Sequence, residues 1–248
     1  MEPKFKLPTE TVDLPSKGIL YPEGHPLSNG ALEMKYMTAK EEDILTNQNY
    51  IKNGTVIDRL LKSLIVTEGI NYEDILVGDK NALMVAARIL SYGADYNISY
   101  RGEQVTVDLA KVDNKPLDES QYEKGKNEFT FNLPVSKAVV TFRLFTHKEE
   151  KNIEKELQGL KKLRPNESPE VTTRFKYMIT SINGNRESGE IRDFVDNYLL
   201  ARDARALRKE YSRLQPDLNL TFNFVNDEGR EEEVPLPIGL DFFWPDAE

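Results

Sequence analysis

Residues 1–37 carry Pro3, Pro8, Pro15, Pro22 and Pro26 interleaved with Gly18, Gly24 and Gly30. Proline lacks an amide hydrogen and fixes φ, and glycine is costly to order, so this density forbids a helix or a long central strand there. The stretch is expected to be an extended arm or a turn-rich lead-in, and regular structure has to follow it.

Thr38 and Glu41 have capping-box spacing and open a helix carrying Ile44, Leu45 and Ile51, which Asn53 and Gly54 stop. Thr55 and Asp58 repeat the spacing before a stripe of Val56, Ile57, Leu60, Leu61, Leu64 and Ile65 at a 3.6-residue period, the pattern of a core-facing helix. Asp79 is expected to cap a third helix through Leu83, Met84, Ala87 and Leu90, ended by Gly93.

The period then changes. NISYRGEQVTVDL (97–109) alternates around Arg101 and Gly102 as strand, tight turn and strand, and EFTFNLPV (128–135) and AVVTFRLF (138–145) have strand length and composition. Thr146 and Glu149 begin a charged helix to about Leu163, and residues 164–168 form a loop. Pro169 opens a helix with the stripe Val171, Phe175, Met178, Ile179 and Ile182. Ser188 caps another with Ile191, Phe194, Val195, Tyr198 and Leu199, and a basic helix covers residues 202–214. NLTFNFVNDEGREEEVPLPI (219–238) returns to strand, acidic turn and strand. The order predicts an α+β fold: N-terminal and C-terminal helical bundles with small antiparallel β hairpins or a sheet, preceded by the Pro/Gly-rich arm. The expected divisions are 1–37 (arm), 38–95 (helical), 96–146 (antiparallel β), 147–216 (helical) and 217–248 (hairpin and aromatic tail).

With no cysteine in the chain, disulfides, thiolate metal sites and cysteine nucleophiles drop out. The two histidines, His25 and His147, have no partner at metal-site or triad spacing. Gly125 and Lys126 are followed by Asn127 and lack the upstream glycine of a phosphate loop. No catalytic, cofactor-binding or metal residue is therefore expected, and no cofactor. The start MEPKFKLPTE has no apolar leader pattern, and the longest apolar run, ALMVAA (82–87), is far short of a membrane span, so a cytosolic protein without membrane contact is expected. A net charge of −9 disfavours nucleic acid and leaves protein partners as the default.

Two stretches are candidate contact surfaces. In the arm, Leu14, Pro15, Ile19, Leu20 and Tyr21 either lie over a neighbouring protein or wrap their own domain. Arg202, Arg205, Arg208, Lys209 and Arg213 form a basic helix face. It is either a site for phosphate or an acidic partner, or a solvated face whose cations near a helix C-terminus suit the macrodipole. The acidic turn of Asp227, Glu228, Glu231, Glu232 and Glu233 is its complement, in the same chain or a neighbouring subunit, or a solvated hairpin tip. Phe242, Phe243 and Trp244 either close the chain's own core or anchor a partner.

Four ordered segments carry a resemblance: DLPSKGILYP (13–22), YMTAKEEDIL (36–45), GDKNALMVAARILSYGADY (78–96) and DFFWP (241–245). Together the chain resembles, over nearly its whole length, the baseplate hub subunits or hub-assembly proteins of T4-type contractile-tailed bacteriophages. The resemblance implies a non-enzymatic structural or assembly role, with other baseplate and hub proteins as partners and a symmetric homo-oligomer admitted. It implies residence in the host cytoplasm during assembly and in the virion tail if the subunit is permanent. A transient assembly chaperone and, more remotely, a tail-associated hydrolase are the alternatives. Some similar tail proteins carry paired cysteines at the two hairpins, which here correspond to the turns at residues 101–102 and 226–229. Those turns hold no cysteine in this chain, so turn chemistry at Gly102 and Gly229 has to suffice.

Overall fold

The computed structural model describes residues 7–166, 168–225 and 229–243. Pro3 of the lead-in, Glu167 of the central loop, Asp227 and Glu228 of the acidic turn, and Trp244 and Pro245 of the tail lie outside them. The fold is α+β, with eight α-helices and nine short strands among the described residues, and every sheet is antiparallel.

The lead-in folds back on its own body. Strand β1 (Thr9–Asp13) pairs with β2 (Ala31–Lys35), and the intervening loop is pinned inward by Leu14, Leu20, Tyr21 and Leu27, all buried. Prolines stand outside the β1 pairing, where a missing amide costs no ladder bond.

Helix α1 (Ala39–Leu45) begins in the expected Thr38–Glu41 capping box. The single helix expected beyond it is two. Asn47 accepts the amides of Asn49 and Tyr50 and starts α2 (Gln48–Lys52) afresh. Helix α3 (Val56–Leu64) buries Val56, Leu60, Leu61 and Leu64 as its period requires, but Thr55 makes no side-chain cap. Asp58 is drawn instead to residues far along the chain. Helix α4 (Val77–Tyr92) ends at Gly93 as expected, but its cap is Leu76, and Asp79 lies buried in its first turn.

Strands β3 (Asp95–Tyr100) and β4 (Glu103–Asp108) form the expected hairpin; Arg101 and Gly102 both take the positive φ a tight hairpin turn needs. Strands β5 (Phe129–Asn132) and β6 (Val139–Phe142) pair, and β6 also pairs with β7 (Ile179–Ile182). The expected helical stripe from Val171 to Ile182 is thus cut short. Helix α6 (Glu170–Met178) stops at Met178, and the next four residues complete a three-stranded sheet.

Helix α5 (His147–Leu163) starts in the expected Thr146–Glu149 box. Helix α7 (Ser188–Asn197) has Glu187 as its cap, so Ser188 is its first residue and not the cap expected. Helix α8 (Ala201–Leu214) and the hairpin of β8 (Thr221–Val225) with β9 (Glu231–Pro235) follow. Tyr100 stands edge-on to Phe222 and Phe224, so the two hairpins pack together. Buried apolar side chains from Leu14 to Phe243 join one cluster to which all five expected stretches contribute. At its middle the amide of Val77 donates to the Phe145 carbonyl and that of His147 to the Ile75 carbonyl, fastening the starts of α4 and α5 to each other.

Candidate functional site

Helix α8 buries Ala204, Leu207 and Leu214. Asp203 is also fully buried: Oδ1 accepts the Val135 amide at 2.7 Å and Oδ2 the Ser136 amide at 2.9 Å. Burial alone would push this carboxyl up, but the two backbone donors hold it below the ordinary carboxylate value. The helix is therefore locked in rotation, and what it turns outward is fixed.

Outward go Arg202, Arg205, Arg208 and Lys209, all exposed. At 100° per residue they span about 120° of the circumference, opposite the buried face. None of the four makes an ion pair among the described residues, whereas Arg213 on the same helix pairs with Glu210 at 2.6 Å. Elsewhere Lys35, Lys80, Arg174, Lys176, Arg186 and Arg192 all have carboxylate partners. The macrodipole does not account for the stripe. Because α8 starts at Ala201, Arg202 and Arg205 occupy its first two turns, where the dipole opposes cations.

The preceding helix carries the opposite sign. On α7, Ile191 and Val195 face the core, while the cap Glu187 and the helix residues Glu190 and Asp193 are exposed at intervals of three. Glu187 and Glu190 make no ion pair among the described residues, and Asp193 accepts only the Asn197 side-chain amide, at 2.8 Å. Between the two sets Tyr198 is 62% and Leu200 47% exposed. Sequence reasoning passed over this acidic face because it counted the apolar stripe alone; the three-residue spacing of its acids was the available signal.

The arm residues are placed otherwise than a docking role requires. Leu14, Pro15, Leu20 and Tyr21 are buried and Ile19 is half-buried, so they cover this chain's own core and not a neighbour. The reason is Asp79. Its Oδ1 accepts the Ser16 amide at 2.9 Å, and its Oδ2 accepts the hydroxyls of Ser16 and Tyr21, each at 2.7 Å. Arg202 and Arg205 are exposed together near the start of α8.

An open groove of about 910 Å³ runs between α3, α4, α5 and the residues Pro165, Asn166, Ser168 and Pro169. At its inner end His147 Nε2 lies 3.1 Å from Asp58 Oδ2, and Lys80 Nζ lies 2.8 Å from Asp58 Oδ1 and 3.3 Å from His147 Nδ1. The Tyr72 hydroxyl donates to Asp58 at 3.1 Å. An ammonium has only donors, so Nδ1 of His147 accepts and Nε2–H donates to Asp58. Although burial works against it, hydrogen bonds from His147 and Lys80 hold Asp58 well below the usual carboxylate range. Burial, with Asp58 beside it, pushes the Tyr72 hydroxyl far up. These groups satisfy one another and tie together three helices that meet nowhere in sequence. His25 is likewise occupied: Nδ1 accepts the Leu27 amide at 3.2 Å, and the ring stacks on Tyr21.

Among the described residues no cluster of His, Asp and Glu suited to a metal ion occurs, and no helix is long and apolar enough to cross a membrane. Phe242 and Phe243 are fully buried, with Phe242 edge-on to Tyr96 at 4.9 Å, so these two close the chain's own core. Compared with protein-family models, with curated proteins and with solved structures, the chain matches none.

Proposed function

We propose that this chain is a non-enzymatic structural or assembly protein of a contractile phage tail baseplate hub, acting by docking to other proteins. The observation that carries the docking part is the stripe of Arg202, Arg205, Arg208 and Lys209, exposed and without an ion pair among the described residues in a chain of net charge −9. Four exposed cations that make no ion pair among the described residues are a surface suited to acidic groups, and such complementarity sets specificity and encounter rate in protein association.

The four segments that resemble baseplate proteins also meet in space. Ser16 and Tyr21 of the first bond Asp79 of the third. Tyr92 of the third donates to Glu42 of the second at 3.4 Å, and Phe242 of the fourth packs on Tyr96. They form a mutually supporting frame.

Residence follows from the role: host cytoplasm during assembly, and the tail baseplate for a permanent subunit. A transient assembly chaperone would use the same stripe. The hydrolase alternative has the groove of Asp58 and His147 in its favour, but there the imidazole is spent on Asp58 and Lys80.

Quantitative mass spectrometry of purified tails and of tail-assembly intermediates tests the proposal. A small symmetric copy number in tails fits a permanent subunit, and presence in intermediates alone fits a chaperone. Absence from both overturns the role. Reversing the stripe (Arg202→Glu with Arg205→Glu) is expected to deplete the protein from whichever fraction holds it.

A further inference from the structure

We infer that the corner between α7 and α8 is a self-association face, at which a second copy of this chain docks across a twofold axis. The inference rests on the docking reading above and names one partner for the same surface.

Two consecutive helices, joined by three residues, carry charge of opposite sign that makes no ion pair among the described residues: Glu190 on α7 with Glu187 at its cap, and Arg202 and Arg205 on α8. Were these stripes complements within one chain, ion pairs would join them, and among the described residues none does. Both helices are held in their present rotation, α7 by Ile191 and Val195 in the core and α8 by Leu207 and the bonds of Asp203 to the 135–136 turn. The faces therefore remain available to another molecule.

An acidic partner would satisfy only half of this corner. It would match α8 while bringing like charge toward Glu187 and Glu190, and a basic partner would make the converse error. A second copy satisfies both halves at once. With α8 of one copy against α7 of the other, the twofold generates the reciprocal contact from the same residues, which is the self-complementarity of an isologous interface. Tyr198 and Leu200, both exposed in the link between α7 and α8, add the apolar surface that the centre of such an interface needs. Because the chain as a whole repels itself, the corner also fixes where two copies can meet.

The test is sedimentation equilibrium of the purified full chain at micromolar concentration and low and high salt. The wild type is expected to dimerise, with a dissociation constant that rises about tenfold or more at high salt. Two variants carry the argument: Arg202→Glu with Arg205→Glu, and Glu187→Lys with Glu190→Lys. Each makes both helices of the corner alike in charge and should be monomeric. Mixed together, they should form a heterodimer, since every α7 then faces an α8 of opposite sign. That rescue also shows that both variants are folded. A monomeric wild type, a dimer indifferent to both variants, or a mixture that stays monomeric overturns the inference. A monomer that still enters tail-assembly intermediates refutes the dimer and leaves the docking role standing; a dimer found in neither tails nor intermediates does the reverse.

Discussion

Tyr21 donates its hydroxyl hydrogen to Oδ2 of Asp79 at 2.7 Å, across 58 positions of sequence. The same hydroxyl oxygen accepts the Leu76 amide at 3.0 Å, so one side chain joins the lead-in loop to both sides of the α4 start. Asp79 is fully buried and makes no ion pair among the described residues, and desolvation raises its carboxyl above the ordinary value. This latch is what makes the proline-rich lead-in part of the domain.

Tyr21→Phe keeps the ring in the core but strips Asp79 of a donor and Leu76 of an acceptor. It is expected to cost about 2 kcal/mol, seen as a lower urea midpoint with unchanged slope. The pH sign is definite. A carboxyl raised in the folded state stabilises most in acid and loses that contribution as pH rises through its folded value. Asp79→Asn should therefore flatten stability on the alkaline side of the ordinary carboxylate range.

Glu41 predicts the opposite slope. It is fully buried at the start of α1, where Lys35 lies at 2.8 Å and Ser63 donates at 2.7 Å. Burial pushes its carboxyl up, but the donors from Lys35, Thr38 and Ser63 outweigh that and hold it at about 2, against an ordinary 4.5. A depressed carboxyl stabilises above its unfolded value and loses that stability as pH falls from about 4.5 toward 2. Glu41→Gln should reduce stability at neutral pH and remove part of the acid limb of a stability–pH curve. An acid limb identical to that of the wild type would show that Glu41 does not contribute.

Gly78 offers a steric test. A Cβ there would overlap the carbonyl oxygen of Pro216, because the segment after α8 crosses the first turn of α4 in backbone contact. Neither backbone can retreat easily, since Asn81 also donates to Asp217 at 2.9 Å. Gly78→Ala, harmless on an exposed helix, is expected to destabilise by about 3 kcal/mol or to abolish soluble expression. Gly159→Ala, on exposed α5 with nothing near its Cβ, should be neutral or slightly stabilising.

What the sequence showed and what it hid divide along contact range. The boxes at Thr38–Glu41 and Thr146–Glu149 and the turn at Arg101–Gly102 are local chemistry and appear where spacing puts them. Thr55–Asp58 has the same spacing but fails as a cap, because Lys80 and His147 claim the carboxylate from other helices. Asp79 likewise looked like a cap until Ser16 and Tyr21 supplied its donors. Ile179 and Ile182 fit a helical period, yet β6 had an open edge, and pairing with it outweighed propensity. The α7–α8 corner was half legible: the cations stood out, while the acids of α7 and the exposure of Tyr198 depended on which faces the core had taken.

The chain's aromatic end makes the last prediction. Phe242 and Phe243 are both fully buried and stand at right angles to each other, with Phe242 also against Tyr96. Tyr96 donates from its hydroxyl to the Pro237 carbonyl at 3.2 Å, so the two contacts hold Pro237 and Phe242 over the β3–β4 hairpin. Because these rings are core, Phe242→Ala opens a cavity and is expected to cost about 3–4 kcal/mol, lowering Tm by about 10 °C in a chain of this size. Phe242→Leu, which keeps most of the volume, should cost well under half of that. A partner anchor would behave differently: both variants would melt with the wild type and lose only the ability to assemble. Thermal melts of the isolated variants therefore decide between core closure and partner anchoring without any partner being present.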